Sequence, residues 1–206
     1  GGIEVWTLNR PEKLNALNRD SHLAIKEQCV RIEADDSVRA VVIRGAAPPP
    51  PEEGKRSKPA AFAAGADISE FAGKSSDDVR EFFANNAWEA VWGLSKPTIA
   101  MVDGFALGGG TELALACDLR VASSRAKFGQ PEINLGLIPG GGGTQRLCRL
   151  LGYGKAMEMT LTGEMVGAEE ALSIGLVNKV VEPEDLEGAA LALAQSIARK
   201  SPYTVR

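Results

Sequence analysis

The sequence is poor in the residues that carry most metal and redox chemistry. Of 206 residues one is histidine, His22, and three are cysteine, Cys29, Cys117 and Cys148. One histidine excludes a His-rich metal site. No two cysteines stand at metal- or redox-motif spacing, and their odd number argues against a disulfide framework. There is no run of eighteen apolar residues, so no membrane span is expected. A basic excess is also missing. Lysine plus arginine number 23 and aspartate plus glutamate 27, a net charge of -4. That balance gives no support to broad nucleic-acid binding, although a local basic patch can hide in the sum. It leaves room for an anionic ligand received by local amides and a few Lys or Arg side chains. No signal-peptide pattern appears. The chain opens without methionine on a strand-like run, so its start is weak evidence on compartment.

What is present fits one main domain with a proper core: 44% of the residues are hydrophobic. Ile3 to Leu8 reads as a strand ended by Asn9-Arg10-Pro11. Residues 18–35 have helical periodicity, with Leu23, Cys29 or Val30, and Ile32 available for the inner face, and His22 expected in solvent. Val38 to Ile43 is a short apolar strand of the kind buried in a parallel sheet. Strand, helix, strand is the opening of a βαβ unit. A proline-rich stretch comes next, with Pro48 to Pro51 consecutive and a charged run after them. It reads as a surface excursion rather than a domain boundary. A helical region is expected from Ser76 to Leu94, capped by Ser75 or Ser76. Pro97 to Val102 is another buried strand, followed by a helix from Thr111 to about Ala116 and a strand at 119–122. Residues 126–143 look like a ligand-facing loop region. Helices are expected at 144–151, 154–161, 168–174 and 186–199, with a strand at 177–181. No internal repeat is visible.

Four local patterns carry chemistry. Gly108-Gly109-Gly110 before Thr111-Glu112 lets the backbone turn tightly and exposes amides at a helix start, where they can receive negative charge developing on a carbonyl oxygen. Close packing of strand on helix explains the same glycines equally plainly. The pattern is not a P-loop, because the Gly-Lys-Ser/Thr ending is absent. Ala63-Ala64-Gly65-Ala66-Asp67 again permits close approach of backbone to a ligand, or forms a tight core turn, with Asp67 able to cap the next helix or turn. Glu112 and Glu132 are a potential carboxylate pair. In a partly dry site two such groups can hold different protonation states and divide acid and base roles. Their spacing along the chain does not itself bring them together. Gly140 to Gly143 with Thr144 is either an anion nest or a flexible join to the next helix. Cys117, in an apolar stretch, reads as a small core residue.

The order of these patterns is more distinctive than any one of them. NRPEKLNALN (9–18), AFAAGADI (61–68), DGFALGGGTELALACDLRVAS (103–123) and FGQPEINLGLIPGGGGTQRL (128–147), with IGLVNKVVE (174–182), resemble the enoyl-CoA hydratase/isomerase family, also called the crotonase family. The resemblance runs over essentially the whole chain. It implies a single α/β domain across residues 1–206 with the crotonase-like spiral of repeated ββα units and surrounding helices. Against that pattern, residues 47–59 look like a surface insertion. The C-terminal helical region looks short or missing after Arg206.

The resemblance also implies an acyl-CoA thioester as substrate, with coenzyme A part of the substrate and no cofactor or metal. By correspondence, the Ala66 and Gly109 amides match an oxyanion hole for the thioester oxygen. Glu112 and Glu132 match the two catalytic glutamates, and Gly140 matches an amide that helps place the water. Leu14, Ala16, Ala64, Asp67 and Ile68 fall in the regions that resemble the coenzyme A and acyl-binding wall. The implied reaction is reversible addition of water across the 2,3 double bond of a trans-2-enoyl-CoA. The alternatives are double-bond isomerisation with one carboxylate, or a crotonase-like RNA-binding or structural protein. A homotrimer or a hexamer of two trimers is implied, with nucleic acid not expected as a partner. The compartment would be the mitochondrial matrix in a eukaryote and the cytoplasm in a bacterium.

Overall fold

The computed structural model describes residues 2–51, 54, 56–71, 73–75, 77–80 and 86–205. Two sheets form the frame. The larger has five parallel strands: β1 (Ile3–Leu8), β2 (Ala40–Gly45), β4 (Thr98–Val102), β6 (Leu119–Ser123) and β9 (Lys179–Val181), adjacent in that order. The smaller joins β3 (Ala61–Ala63), β5 (Phe105–Leu107) and β7 (Lys127–Gly129) in parallel, and β8 (Val166–Gly167) pairs antiparallel at its edge.

The apolar runs of β2 and β4 are buried on both sides, and period-2 alternation explains how. Ala40, Val42, Ile99 and Met101 face Leu186, Ala190 and Ala194 of the last long helix, Leu186–Ala198. Val41, Ile43, Ala100 and Val102 point the other way, into the main core. Each of three successive strand pairs, β2–β3, β4–β5 and β6–β7, gives its first member to the large sheet and its second to the small one. The pair β4–β5 runs into α3 (Gly109–Ala116), a complete ββα unit. The repeat is therefore architectural and leaves no sequence repetition.

Helix α1 (Arg19–Glu33) starts at Asn18, whose side chain accepts the Ser21 N–H. Its buried face is His22, Ile25, Cys29 and Ile32. Of the alternatives Cys29 and Val30 it is Cys29 that lies inside; Leu23, expected inside, and Val30 are 48% and 75% exposed. The i, i+3, i+7, i+10 row is narrow, and they fall off it. His22 is likewise the reverse of the expectation: it is 2% exposed, its Nδ1 accepts the Ala87 N–H at 3.0 Å, and its ring meets Trp88 edge-on. Burial depresses its pKa to about 4, and Lys26 adds to that, so it sits in the core as neutral imidazole.

The helix expected from Ser76 to Leu94 is interrupted. Ser75 and Asp78 cap each other's backbone N–H groups, which supports a start at Ser75; Ser76 and residues 81–85 lie outside the described residues. A fresh helix, α2 (Ala87–Trp92), begins where Asn86 turns extended and accepts the Glu89 N–H. An Asn side chain that satisfies an orphan N–H favours a helix start. The remaining helices are α4 (Gly143–Leu151), α5 (Tyr153–Thr162), α6 (Ala168–Ser173), α7 (Leu186–Ala198) and α8 (Pro202–Val205). No helix among the described residues is long and apolar enough to cross a membrane. Cys117 is buried in the core as expected, and most described residues at 47–59 are exposed.

Candidate active site

The site forms where the start of α3 meets the loops after β3 and β7. Every residue of α3 is buried, so Glu112 enters the core on a helix that has no wet face. Gly108 precedes the helix with φ +51, and a Cβ there would lie 2.8 Å from Glu132 Oε1. Glycine is therefore needed twice over, for the left-handed turn and for the approach of the carboxylate. The short 3-10 turn Pro131–Leu135 carries Glu132 to that point.

Glu112 is 1% exposed. Its Oε1 accepts the Gly141 and Gly143 N–H groups at 2.7 and 2.8 Å. The tetraglycine stretch is thus a nest, and the anion it holds is the protein's own carboxylate. Burial raises the Glu112 pKa, and the two amides and the Arg146 charge pull against that rise. Burial pushes Glu132 up to about 7, and the Glu112 charge adds to it, while a hydrogen bond from its own backbone opposes. With its amide nitrogen turned toward Glu132, the fully buried Gln130 donates to both carboxylate oxygens, at 2.9 and 3.0 Å.

Ala66 sits on a short parallel bridge with Leu17. Leu17 N donates to Gly65 O and Asp67 N donates to Leu17 O, both at 2.8 Å. In extended backbone the intervening amide points the opposite way. The Ala66 N–H and the Gly109 N–H, in the first turn of α3, meet no protein acceptor among the described residues. A Cβ built on Gly109 would lie 3.3 Å from the Ala66 nitrogen, so the two amides are neighbours.

One cavity of about 150 Å³ collects these groups. It is lined by Ala64, Ala66, Ile68, Gly109, Glu112, Glu132 and Gly140, all seven singled out in the sequence, along with apolar residues such as Phe71, Trp88 and Leu107. Leu14, Ala16 and Asp67 are not brought into it. They lie one layer out: Leu14 O accepts the Ala64 N–H, Ala16 O accepts from Arg10, and Asp67 pairs with Arg10 at 2.9 Å while capping Ser69. These bonds pin the 9–18 segment against the cavity wall. Asn15, buried with φ +55, holds that segment by donating to Ala46 O and Ala61 O.

Sequence reasoning missed Asn15, Trp88, Gln130 and Arg146. Trp88 Nε1 donates to Gly109 O at 2.8 Å, and Arg146 Nη1 donates to Gly141 O at 2.6 Å. A polar residue two positions before Glu132 was the one signal available for Gln130. The others need the fold.

Fold and site together describe an α/β enzyme in which two carboxylates and two backbone amides line one apolar pocket. The chain belongs to the enoyl-CoA hydratase/isomerase family, whose model matches residues 1–206. It is 46% identical over 208 residues to the short-chain-enoyl-CoA hydratase of Clostridium acetobutylicum, covering 100% of this chain and 76% of that relative. It is 44% identical over 206 residues to the crotonyl-CoA hydratase of Syntrophomonas wolfei, covering 99% of this chain and 75% of that one. Among solved structures, an enoyl-CoA hydratase subunit from Geobacillus kaustophilus superposes with a TM-score of 0.90 at 41% identity, over 100% of this chain and 76% of the other.

Proposed function

We propose that Glu112 and Glu132 add one water across the 2,3 double bond of a trans-2-enoyl-CoA whose thioester oxygen is held by the Ala66 and Gly109 amides. The activity is that of an enoyl-CoA hydratase, a hydro-lyase. Two N–H groups polarise the carbonyl and stabilise the enolate-like transition state, which makes the β-carbon electrophilic. Glu112 takes a proton from the water as its oxygen bonds to the β-carbon. Glu132 supplies the proton that reaches the α-carbon. The pair holds one proton before and after the step, so the reaction runs in reverse as dehydration by the same groups. Gly140 contributes an amide beside the water, Ala64 and Ile68 form the wall toward the coenzyme A and acyl chain, and Leu14, Ala16 and Asp67 support that wall from one layer out.

The observation that carries this reading is that both carboxylates and both undonated amides line one small cavity. The names of the relatives make crotonyl-CoA the first substrate to try. Hydration appears as loss of the conjugated-thioester absorbance. A 3-enoyl-CoA run beside it separates the hydratase from an isomerase, and no loss with short, medium or branched 2-enoyl thioesters would reject the assignment. We also propose a homotrimer or a hexamer made of two trimers. Its support is the apolar rim of the cavity, where Leu135, Leu137 and Ile138 stand exposed in a way that a partner surface would cover.

A further inference from the structure

Arg146, on α4, touches neither the cavity nor any of its lining carboxylates, yet it is built into the site from behind. It is 7% exposed. One guanidinium nitrogen donates to Gly141 O and the other pairs with Glu89 of α2 at 2.9 Å. The guanidinium also lies 4.7 Å from the centre of the Trp92 ring, on the same short helix. A fork with two fixed partners and an aromatic floor has one orientation. Gly142 takes φ +100, and a Cβ there would collide with that guanidinium. The loop therefore wraps closely around the cation, and its Gly141 and Gly143 N–H groups emerge on the other side, on Glu112 Oε1.

We propose that Arg146 is a positioning residue for the hydration reaction: by holding the Gly141 carbonyl it fixes the loop that presents two amides to Glu112. The proposal rests on the hydratase reading for its effect on rate, and on geometry alone for its effect on Glu112. The held peptide is the hinge of the nest. If it turns, Glu112 loses its two donors and the oxygen that faces the water loses its aim. The charged groups around Glu112 are Arg146 itself and Glu132 at the cavity; Glu89 faces Arg146 instead. Loss of the cation and of the amide cradle would both favour the protonated Glu112, so its pKa rises in their absence.

The test compares Arg146→Gln and Arg146→Lys with the parent protein. Arg146→Gln is expected to lower kcat on the order of 10- to 100-fold with little change in KM, and to move the acid limb of kcat/KM to higher pH. Arg146→Lys keeps the charge and loses the fork; it is expected to keep the acid limb near its parent position with an intermediate kcat. A purely structural role would lower thermal stability and leave kcat per folded enzyme and the pH profile unchanged, and that result overturns the proposal. If the Gln variant does not fold, the Lys variant decides: parent-like kcat overturns the proposal. An infrared titration of the Glu112 carboxyl, assigned with Glu112→Gln, needs no turnover. A parent-like Glu112 titration in Arg146→Gln overturns the proposal even if the parent proves not to be a hydratase. A parent inactive on all enoyl thioesters, with Glu112 shifted as expected, sinks the functional reading alone.

Discussion

Two glutamates of the same chemistry are placed in different surroundings, and this divides their work. Glu112 is deeply buried but cradled by two N–H groups, so its ionised form is supported despite the dry site. Burial carries Glu132 to about 7, and the Glu112 charge adds to that rise. A coupled pair of this kind holds one proton over an intermediate pH range. The kcat/KM for hydration should therefore be bell-shaped, with its alkaline limb near the value at which Glu132 ionises. A flat profile between pH 5 and 9 would contradict it. Glu112→Gln and Glu132→Gln should each lower kcat about 10²- to 10⁴-fold while acyl-CoA binding, read by calorimetry, is largely kept. Unchanged turnover in both variants would remove them from the mechanism. The same shift has a stability consequence. Because the Glu132 pKa is raised on folding from 4.5 to about 7, the folded state binds more protons than the unfolded state between those values. Its contribution is favourable at low pH and declines as pH rises through that window. Glu132→Gln should flatten the fall in Tm between pH 5 and 8; an identical slope in both proteins would contradict the assignment. At this scale the sequence singled out acids and glycines that the fold gathers around one cavity. It could not show that the tetraglycine nest serves Glu112, since that contact joins residues 29 and 31 positions apart.

Elements were legible in proportion to their length and periodicity. In the large sheet β2 and β4 carry the longest apolar runs, and β1 was read with its observed limits. The small sheet was not read, because β3, β5 and β7 are three residues each, too short for any period to appear. Side-chain bonds from neighbouring elements place them: Thr111 Oγ1 donates to Gly129 O and receives the Gly129 N–H, tying α3 to β7. Helix starts depended on single side chains. Asn86, extended and capping, starts a fresh helix inside the stretch read as one, and Trp88, Glu89 and Trp92 all brace the site from that short element. The α1 cap gives a measurable figure. Asn18→Ala should cost about 1 kcal/mol, a fall in Tm of roughly 2–4 °C for a chain of this size, seen by thermal unfolding with activity retained. The glycine loop should be far less tolerant. A Cβ at Gly141 would meet the Trp88 ring and lie 2.7 Å from Glu112 Oε2, so Gly141→Ala should abolish most turnover while the fold, followed by circular dichroism, persists. Parent-like kinetics in that variant would show the loop is slack.

Across the whole molecule, three strand pairs distribute themselves between two sheets, and the segments that follow the three parallel strands of the small sheet converge. That places residues from positions 64 to 140 around one cavity. The class of architecture came from the order of motifs along the chain rather than from periodicity, which shows no repeat. Light scattering on the purified protein should give a mass of three or six chains, and a monomer at micromolar concentration would contradict the oligomer proposal. The central claim concerns where two solvent atoms end up. Turnover of crotonyl-CoA in D2O containing oxygen-18, followed by mass spectrometry, should give a 3-hydroxybutyryl thioester with one solvent deuterium on the α-carbon and one solvent oxygen on the β-carbon. Free coenzyme A, a shifted double bond, or no uptake of either label by the folded protein would contradict the account.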